Sequence, residues 1–262
     1  MTSEALLVEQ DGAILTLINN DAPRNRMTLE YMDAVEAAVR DAASDSSVRV
    51  LVFTGAGEEH FSVGMDLKQL MSGAGERGGL EAVLDQRLRV LAAIENMDKP
   101  SIVTLYGYCL GGGLELPLAC HFRLAASEGA RIGLPELDLG TVPAWGGTAR
   151  LTRCVGRNQA LDMILRARKI DGEHALRIGL VHELHPVGEL KSAAHALALE
   201  LAAMPPRAGA GVLRCVIGAG DAPLDEALAE ERRAVLDCSG TADQREGMRA
   251  FLEKRRPVFT GE

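Results

Sequence analysis

The sequence predicts an α/β fold followed by a helical C-terminal part. Apolar residues make up 47% of the 262 positions, the level of a packed globular chain rather than a disordered one. An opening hairpin gives way to strand–helix–strand alternation, the pattern of parallel pairing. After Gly146 helix-like segments follow one another almost without interruption.

The elements follow in order. The apolar runs Ala5–Glu9 and Ala13–Asn19 flank Asp11-Gly12, a pair that tolerates the positive φ angles of a tight turn, so the chain opens on a β-hairpin. Thr28 caps a helix with apolar residues at Tyr31, Met32, Val35, Val39 and Ala42. Val48–Thr54 is a β-branched strand, Leu70–Leu80 a mobile Gly- and Ser-rich loop, and Glu81–Met97 an amphipathic helix. Ser101–Tyr106 is a buried strand that enters the glycine-rich turn Gly107–Gly113. His121–Ala126 and Arg131–Leu134 are further strands. Helices are expected at Asn158–Leu165, Gly172–Ile178, Leu190–Ala203, Arg207–Gly218, Leu224–Leu236 and Ala242–Lys254, with Pro205-Pro206 as punctuation. This divides the chain into an α/β core over 1–200 and a helical region over 201–262.

Charge and cysteine usage narrow the function classes. With 28 Lys and Arg against 37 Asp and Glu, the net charge of −9 argues against binding nucleic acid through its phosphates. The five cysteines, Cys109, Cys120, Cys154, Cys215 and Cys238, contain no C-x-x-C pair and read as reduced thiols in a cytoplasmic setting. The acidic N-terminus has no basic segment of a secretory signal. The longest uncharged stretch, Pro100–Leu114, is shorter than the roughly 20 residues a membrane span needs.

Several enzyme signatures are excluded. Val50–Gly57 looks like a dinucleotide-binding strand and loop, but His60 stands where G-x-G-x-x-G needs its third glycine. There is no phosphate-binding P-loop and no G-x-S-x-G elbow. His182-Glu183-Leu184-His185 is one residue short of H-E-x-x-H, and on a strand its histidines face opposite sides, so no metal site is expected.

Three segments remain. Tyr106–Glu115 runs an uncharged strand through Gly111-Gly112-Gly113 into a helix, which presents backbone N–H groups able to stabilise a negatively charged oxygen, with Glu115 beside them. Its ordinary reading is a tight turn with an acidic first helical turn. Glu136, in Ile132–Gly140, is either a surface loop charge or a buried acid, and two glutamates facing one cavity would separate acid and base roles. Phe61–Leu67 is either a plain strand-to-helix connection or the other half of an oxyanion hole.

Together these segments resemble the crotonase (enoyl-CoA hydratase/isomerase) superfamily over nearly the whole chain. The matches are F-x-x-G-x-D-L at Phe61–Leu67, the Lys99-Pro100 segment through Gly111-Gly112-Gly113 to Glu115, P-E-x-x-x-G at Pro135–Gly140, and the ending Ala250–Phe259. The resemblance implies a spiral of ββα units with a C-terminal helical trimerisation region. It implies an acyl-CoA substrate, with coenzyme A as part of that substrate, no other cofactor and no metal. Glu115 and Glu136 are the implied catalytic pair, and the backbone N–H groups of Val63 and Gly112 the implied oxyanion hole. Asp66, Trp145, Phe251 and Lys254 are assigned to substrate or CoA binding, the last two at a neighbouring subunit's CoA in a homotrimer or hexamer. The implied reaction is syn addition of water to an enoyl-CoA. Thioester hydrolysis, isomerisation, aromatic acyl-CoA hydratase-lyase chemistry and a non-catalytic CoA- or RNA-binding role are the alternatives. The chain departs from the usual P-G-A-G-G at Pro143-Ala144-Trp145-Gly146-Gly147. Its only tryptophan either packs under that loop or borders the acyl pocket, where it would favour short or compact acyl groups.

Overall fold

Residues 4–262 are described by a computed structural model. Strands β1 (Leu6–Asp11) and β2 (Ile14–Asn19) form the expected hairpin, and Gly12 turns it at φ +55°. Helix α1 (Leu29–Ser44) is capped by the Thr28 hydroxyl, which accepts from the Tyr31 N–H, and buries the predicted stripe. β3 (Val50–Gly55) and β4 (Ser101–Leu105) are buried along their whole length, which is why they read as continuous apolar runs rather than alternating ones.

The main sheet has the order β1-β2-β3-β4-β6-β8, with β6 at Phe122–Ala126 and β8 at Glu183–His185. Only the β1–β2 pair is antiparallel. A second, shorter row stands beside it. β5 (Tyr108–Leu110) pairs in parallel with β7 (Arg131–Gly133), and single bridges join Ser62 to Cys109 and Met27 to Met65. Successive passes of the chain thus lay a strand in the main sheet, then one in the second row, then a helix. That is the ββα spiral. After β3 and Ser62 comes α2 (Leu67–Gly73); after β4 and β5 comes α4 (Gly112–Ala119); after β6 and β7 comes α5 (Gly147–Leu165).

Two expectations are corrected. The segment 70–80, read as a loop, contains most of α2 and a 3-10 turn at Gly75–Arg77 before α3 (Leu80–Glu95), because Asp66 caps α2 through the Lys68 and Gln69 N–H groups. The helix expected at 158–165 begins at Gly147 and carries a kink at Gly156. The remaining helices are α6 (Gly172–Arg177), α7 (Val187–Ala202), which crosses β3, β4 and β6, and then α8 (Pro206–Ala219), α9 (Leu224–Cys238) and α10 (Ala242–Glu253). Among the described residues no helix is long and apolar enough to cross a membrane.

A polar knot holds the second row in place. The Asn25 amide donates to the carbonyls of Ala56 (2.9 Å) and His60 (2.7 Å), and Asn19 donates to the Asn25 carbonyl (2.7 Å). Tyr106 donates to the Gly55 carbonyl (2.6 Å), which Lys191 also reaches (3.0 Å). Gly107, at φ +52°, passes against the Glu59 carbonyl with no room for a Cβ, whereas Gly129, at φ +73°, has open space around it. Gly129→Ala should therefore cost about 1–2 kcal/mol of backbone strain. Gly107→Ala must also displace the 59–61 backbone and should cost about 3 kcal/mol or more, or abolish folding. Urea unfolding of the two variants checks the difference, and equal losses would refute it.

Candidate active site

Every residue of α4 is buried, so Glu115, one turn into this helix, lies inside the protein with 2% of its surface exposed. Burial drives the carboxyl's pKa up to about 7. The group is nevertheless served: its Oε1 accepts from the backbone N–H of Trp145 (2.7 Å) and of Gly147 (2.9 Å), at the start of α5. These bonds oppose the burial effect, and the charges of Glu136 and Arg150 act in opposite directions on it. Arg150 also fixes the loop that carries the donors. Its Nη1 donates to the Trp145 carbonyl (3.0 Å), while its Nε and Nη2 bind Glu95 (3.0 and 2.7 Å).

Glu136 opens a 3-10 turn, Glu136–Leu139, immediately after β7. Its Oε1 lies 2.8 Å from where a Cβ at Gly111 would stand, and its Oε2 is buried without a hydrogen-bond partner among the described residues. Burial raises its pKa. β5 and β7 are neighbours, so the two sequence-predicted acids meet: Glu115 follows one strand, Glu136 the other, and each carboxyl touches a glycine of the opposing turn or loop, Glu115 at Gly147 and Glu136 at Gly111. The two readings of Glu136 resolve to a partly buried acid.

The expected oxyanion donors fare differently. Gly112 is the first residue of α4, so its N–H has no helical acceptor, and it is unpaired among the described residues. Val63 is a correction. Its N–H donates to the Arg24 carbonyl (3.0 Å) and is not available to a ligand. The Gly64 N–H is held by the Ser62 hydroxyl (3.0 Å). The next N–H, that of Met65, is unpaired among the described residues, and Gly64 packs against the Leu110 carbonyl and the Gly112 nitrogen. The free donor facing Gly112 is thus two residues beyond the one expected. Sequence spacing locates the loop but not which N–H its bridge to the 24–27 segment leaves over.

Asp66 is engaged within the chain: Oδ1 caps α2 and Oδ2 pairs with Arg26 (2.9 Å). Trp145 is 4% exposed, and the six-membered edge of its indole rests on Gly112, so the ring both packs under its loop and borders the site. Phe251, 82% exposed, and Lys254 lie at the end of α10, with no hydrogen bond or ion pair to the site among the described residues. His182 and His185 are satisfied by the Arg123 N–H and by Glu183, and no cluster of potential metal ligands occurs among the described residues. Two arginines were missed. Arg150 gives no sequence signal. Arg87 does, since it falls on the apolar stripe Val83, Val90, Leu91 and Ile94 of α3.

Comparison with known proteins bears on this geometry. A family model described as enoyl-CoA hydratase/isomerase matches residues 9–262. A probable enoyl-CoA hydratase of Bacillus subtilis (strain 168) is 37% identical over 264 residues, covering 100% of both chains. A short-chain-enoyl-CoA hydratase of Clostridium acetobutylicum is 32% identical, covering 96% of this chain and 95% of its own. The crystal structure of enoyl-CoA hydratase from Bacillus anthracis superposes with a TM-score of 0.93 at 30% identity, over 98% of this chain and 100% of that one. The spiral fold, the paired glutamates and these matches over the full length agree, and the chain belongs to the enoyl-CoA hydratase/isomerase family, the crotonase superfamily.

Proposed function

We propose that the protein is an enoyl-CoA hydratase, adding water across the α,β double bond of an enoyl-CoA to give the 3-hydroxyacyl-CoA. The observation that carries this reading is the pair of carboxyls that follow the adjacent strands β5 and β7, one buried and held by two N–H donors, the other partly buried with a free oxygen. Thioester hydrolysis or isomerisation has no feature here that favours it over hydration.

In this reading the N–H groups of Gly112 and Met65 receive the thioester oxygen and draw electrons from C3. Glu115 accepts a proton from the water that attacks C3, and Glu136 delivers a proton to C2. The hydroxyl and the hydrogen add to the same face, and one proton passed from Glu115 to Glu136 resets the site. The division of labour has a physical basis. Both acids are pushed toward the neutral form by burial, but only Glu115 receives two backbone N–H bonds that stabilise its anion. The reaction as written uses coenzyme A only as the acyl carrier and needs no metal.

The proposed assembly is a homotrimer or hexamer working in the cytoplasm. It is supported by the apolar side chains that α8–α10 leave exposed, among them Val212, Val216, Val235, Met248, Phe251 and Leu252. Lys254 then meets a phosphate of a neighbour's CoA while Phe251 packs beside the pantetheine.

Glu115→Gln and Glu136→Gln are each expected to lower kcat by about 10²–10⁴-fold with little change in KM, followed by loss of enone absorbance from crotonyl-CoA. Near-native turnover in either variant would remove that residue from the mechanism. In the wild type kcat/KM should rise with pH through about 7 as Glu115 ionises. The same shift makes a stability prediction. The folded carboxyl holds its proton more tightly than the unfolded one, whose pKa is 4.5, so ionisation costs the native state stability as pH rises from 4.5 through about 7. Glu115→Gln should therefore gain on the wild type by up to about 3 kcal/mol at pH 8, and the advantage should vanish near pH 4.5. Thermal melts across this range decide it. Light scattering should give a trimer or hexamer, and Lys254→Ala should raise KM for acyl-CoA several-fold. A fully active monomer would exclude this assembly.

A further inference from the structure

The chain buries two arginines that are easily compared. Arg123 is fully served: its Nε donates to the Leu180 carbonyl (2.6 Å), its Nη1 to the Cys120 carbonyl (2.6 Å), and its Nη2 contacts the Cys154 sulfur (3.8 Å). Arg87 is 0% exposed, and among the described residues its only side-chain hydrogen bond is from Nη1 to the side-chain oxygen of Gln86. Its Nε and Nη2 have no acceptor among the described residues.

The neighbouring carboxylates do not fill this gap. Asp33 is bound by Arg77 and by Gln86 (2.8 Å). Glu36 is bound by Gln86 (2.8 Å) and Arg89 (2.9 Å), and Glu30 by Gln69 and Arg77. A guanidinium cannot shed its proton at neutral pH, and burial brings its pKa down only to about 10. A buried cation with two open donors in fork geometry is matched best by a carboxylate, which accepts both bonds at once.

Its position says which carboxylate. The guanidinium carbon lies over the Trp145 indole, 5.6 Å from the ring centroid. That indole rests on Gly112, and its own backbone N–H holds Glu115. Arg87 is therefore one ring away from the proposed oxyanion donor, and an acyl group whose thioester oxygen sat at Gly112 would start beside that ring. We propose that Arg87 binds a carboxylate at the far end of the acyl chain, so that the preferred substrates are CoA thioesters of short unsaturated dicarboxylic acids. This rests on the hydratase reading and narrows it. The indole face supplies the apolar wall for the few carbons between the two ends, and Arg87 is a specificity residue rather than a member of the proton-transfer pair.

The test compares trans-2-hexenoyl-CoA with its analogue carrying an ω-carboxyl on the same six-carbon chain. The wild type should show kcat/KM at least tenfold higher for the carboxylated thioester. Arg87→Met should collapse that ratio by about 10²-fold, because a site built to pair a polar group discriminates strongly once the pairing is lost. Arg87→Lys, which keeps the charge but not the fork, should retain part of it. Binding of the saturated pair, hexanoyl-CoA and hexanedioyl-CoA, measured by calorimetry on the wild type, needs neither turnover nor a folded variant and should favour the diacid at least tenfold. If the diacid is preferred in binding but neither enoyl thioester is hydrated, the hydratase reading fails while the Arg87 inference stands. If hydration proceeds with no preference for the carboxylated chain, or if Arg87→Met leaves the ratio unchanged, the inference is wrong and Arg87 only packs against Trp145.

Discussion

A carboxyl group inside a helix whose every residue is buried must be met by donors, and the molecule around Glu115 is arranged to supply them. The donors belong to the backbone of Trp145 and Gly147, some thirty residues downstream and one turn of the spiral later. They stay in place because Arg150 ties the Trp145 carbonyl to Glu95 on α3. Helix α3, helix α4 and the start of α5 are thereby locked to one another through Glu115, Arg150 and Glu95. A displacement of any of them would leave a buried carboxyl unpaired, which typically costs more than the hydrogen bonds themselves contribute.

The glycines of this region act mainly by being small. Of Gly111, Gly112 and Gly113, only Gly111 has a positive φ, at +56°. What the three share is contact. Glu136 lies against Gly111, the Trp145 ring against Gly112, and the Ser62 carbonyl against Gly113. Gly147 likewise receives the Glu115 carboxyl. Each missing Cβ admits one functional side chain or one strand of the second row, so the run of glycines is the contact surface of the site as much as a turn.

The electrostatics follow from the same packing. Both acids lose solvent, so both lean toward the protonated state, but they differ in what replaces the solvent: two N–H dipoles for one oxygen of Glu115, and no donor among the described residues for Oε2 of Glu136. Two chemically identical residues are thereby made inequivalent, which general acid–base chemistry at one double bond requires. The Trp145 ring of the Trp145–Arg87 stack rests on Gly112, and the same loss of solvent leaves the guanidinium short of acceptors among the described residues.

Periodicity and turn chemistry made most elements legible: the Asp11-Gly12 hairpin, the Thr28 cap and its helical stripe, the solid apolar runs of β3 and β4, and the helices from α6 onward. These depend on local backbone preference and on which face is apolar, and both are written in neighbouring residues. The motif spacing likewise marked Glu115, Glu136 and Gly112. Three things were decided only in three dimensions. Which N–H stays free, Met65 rather than Val63, depends on a pairing with residues some forty positions away. Trp145 could be assigned to packing or to the pocket by sequence, and it serves both because Gly112 leaves room beneath its edge. Arg87 could be seen to fall on a buried stripe, but that it lacks acceptors depends on Asp33, Glu36 and Glu30 being held by other partners. Hydrogen-bond satisfaction is a property of the whole packed neighbourhood, so no local stretch of sequence contains it.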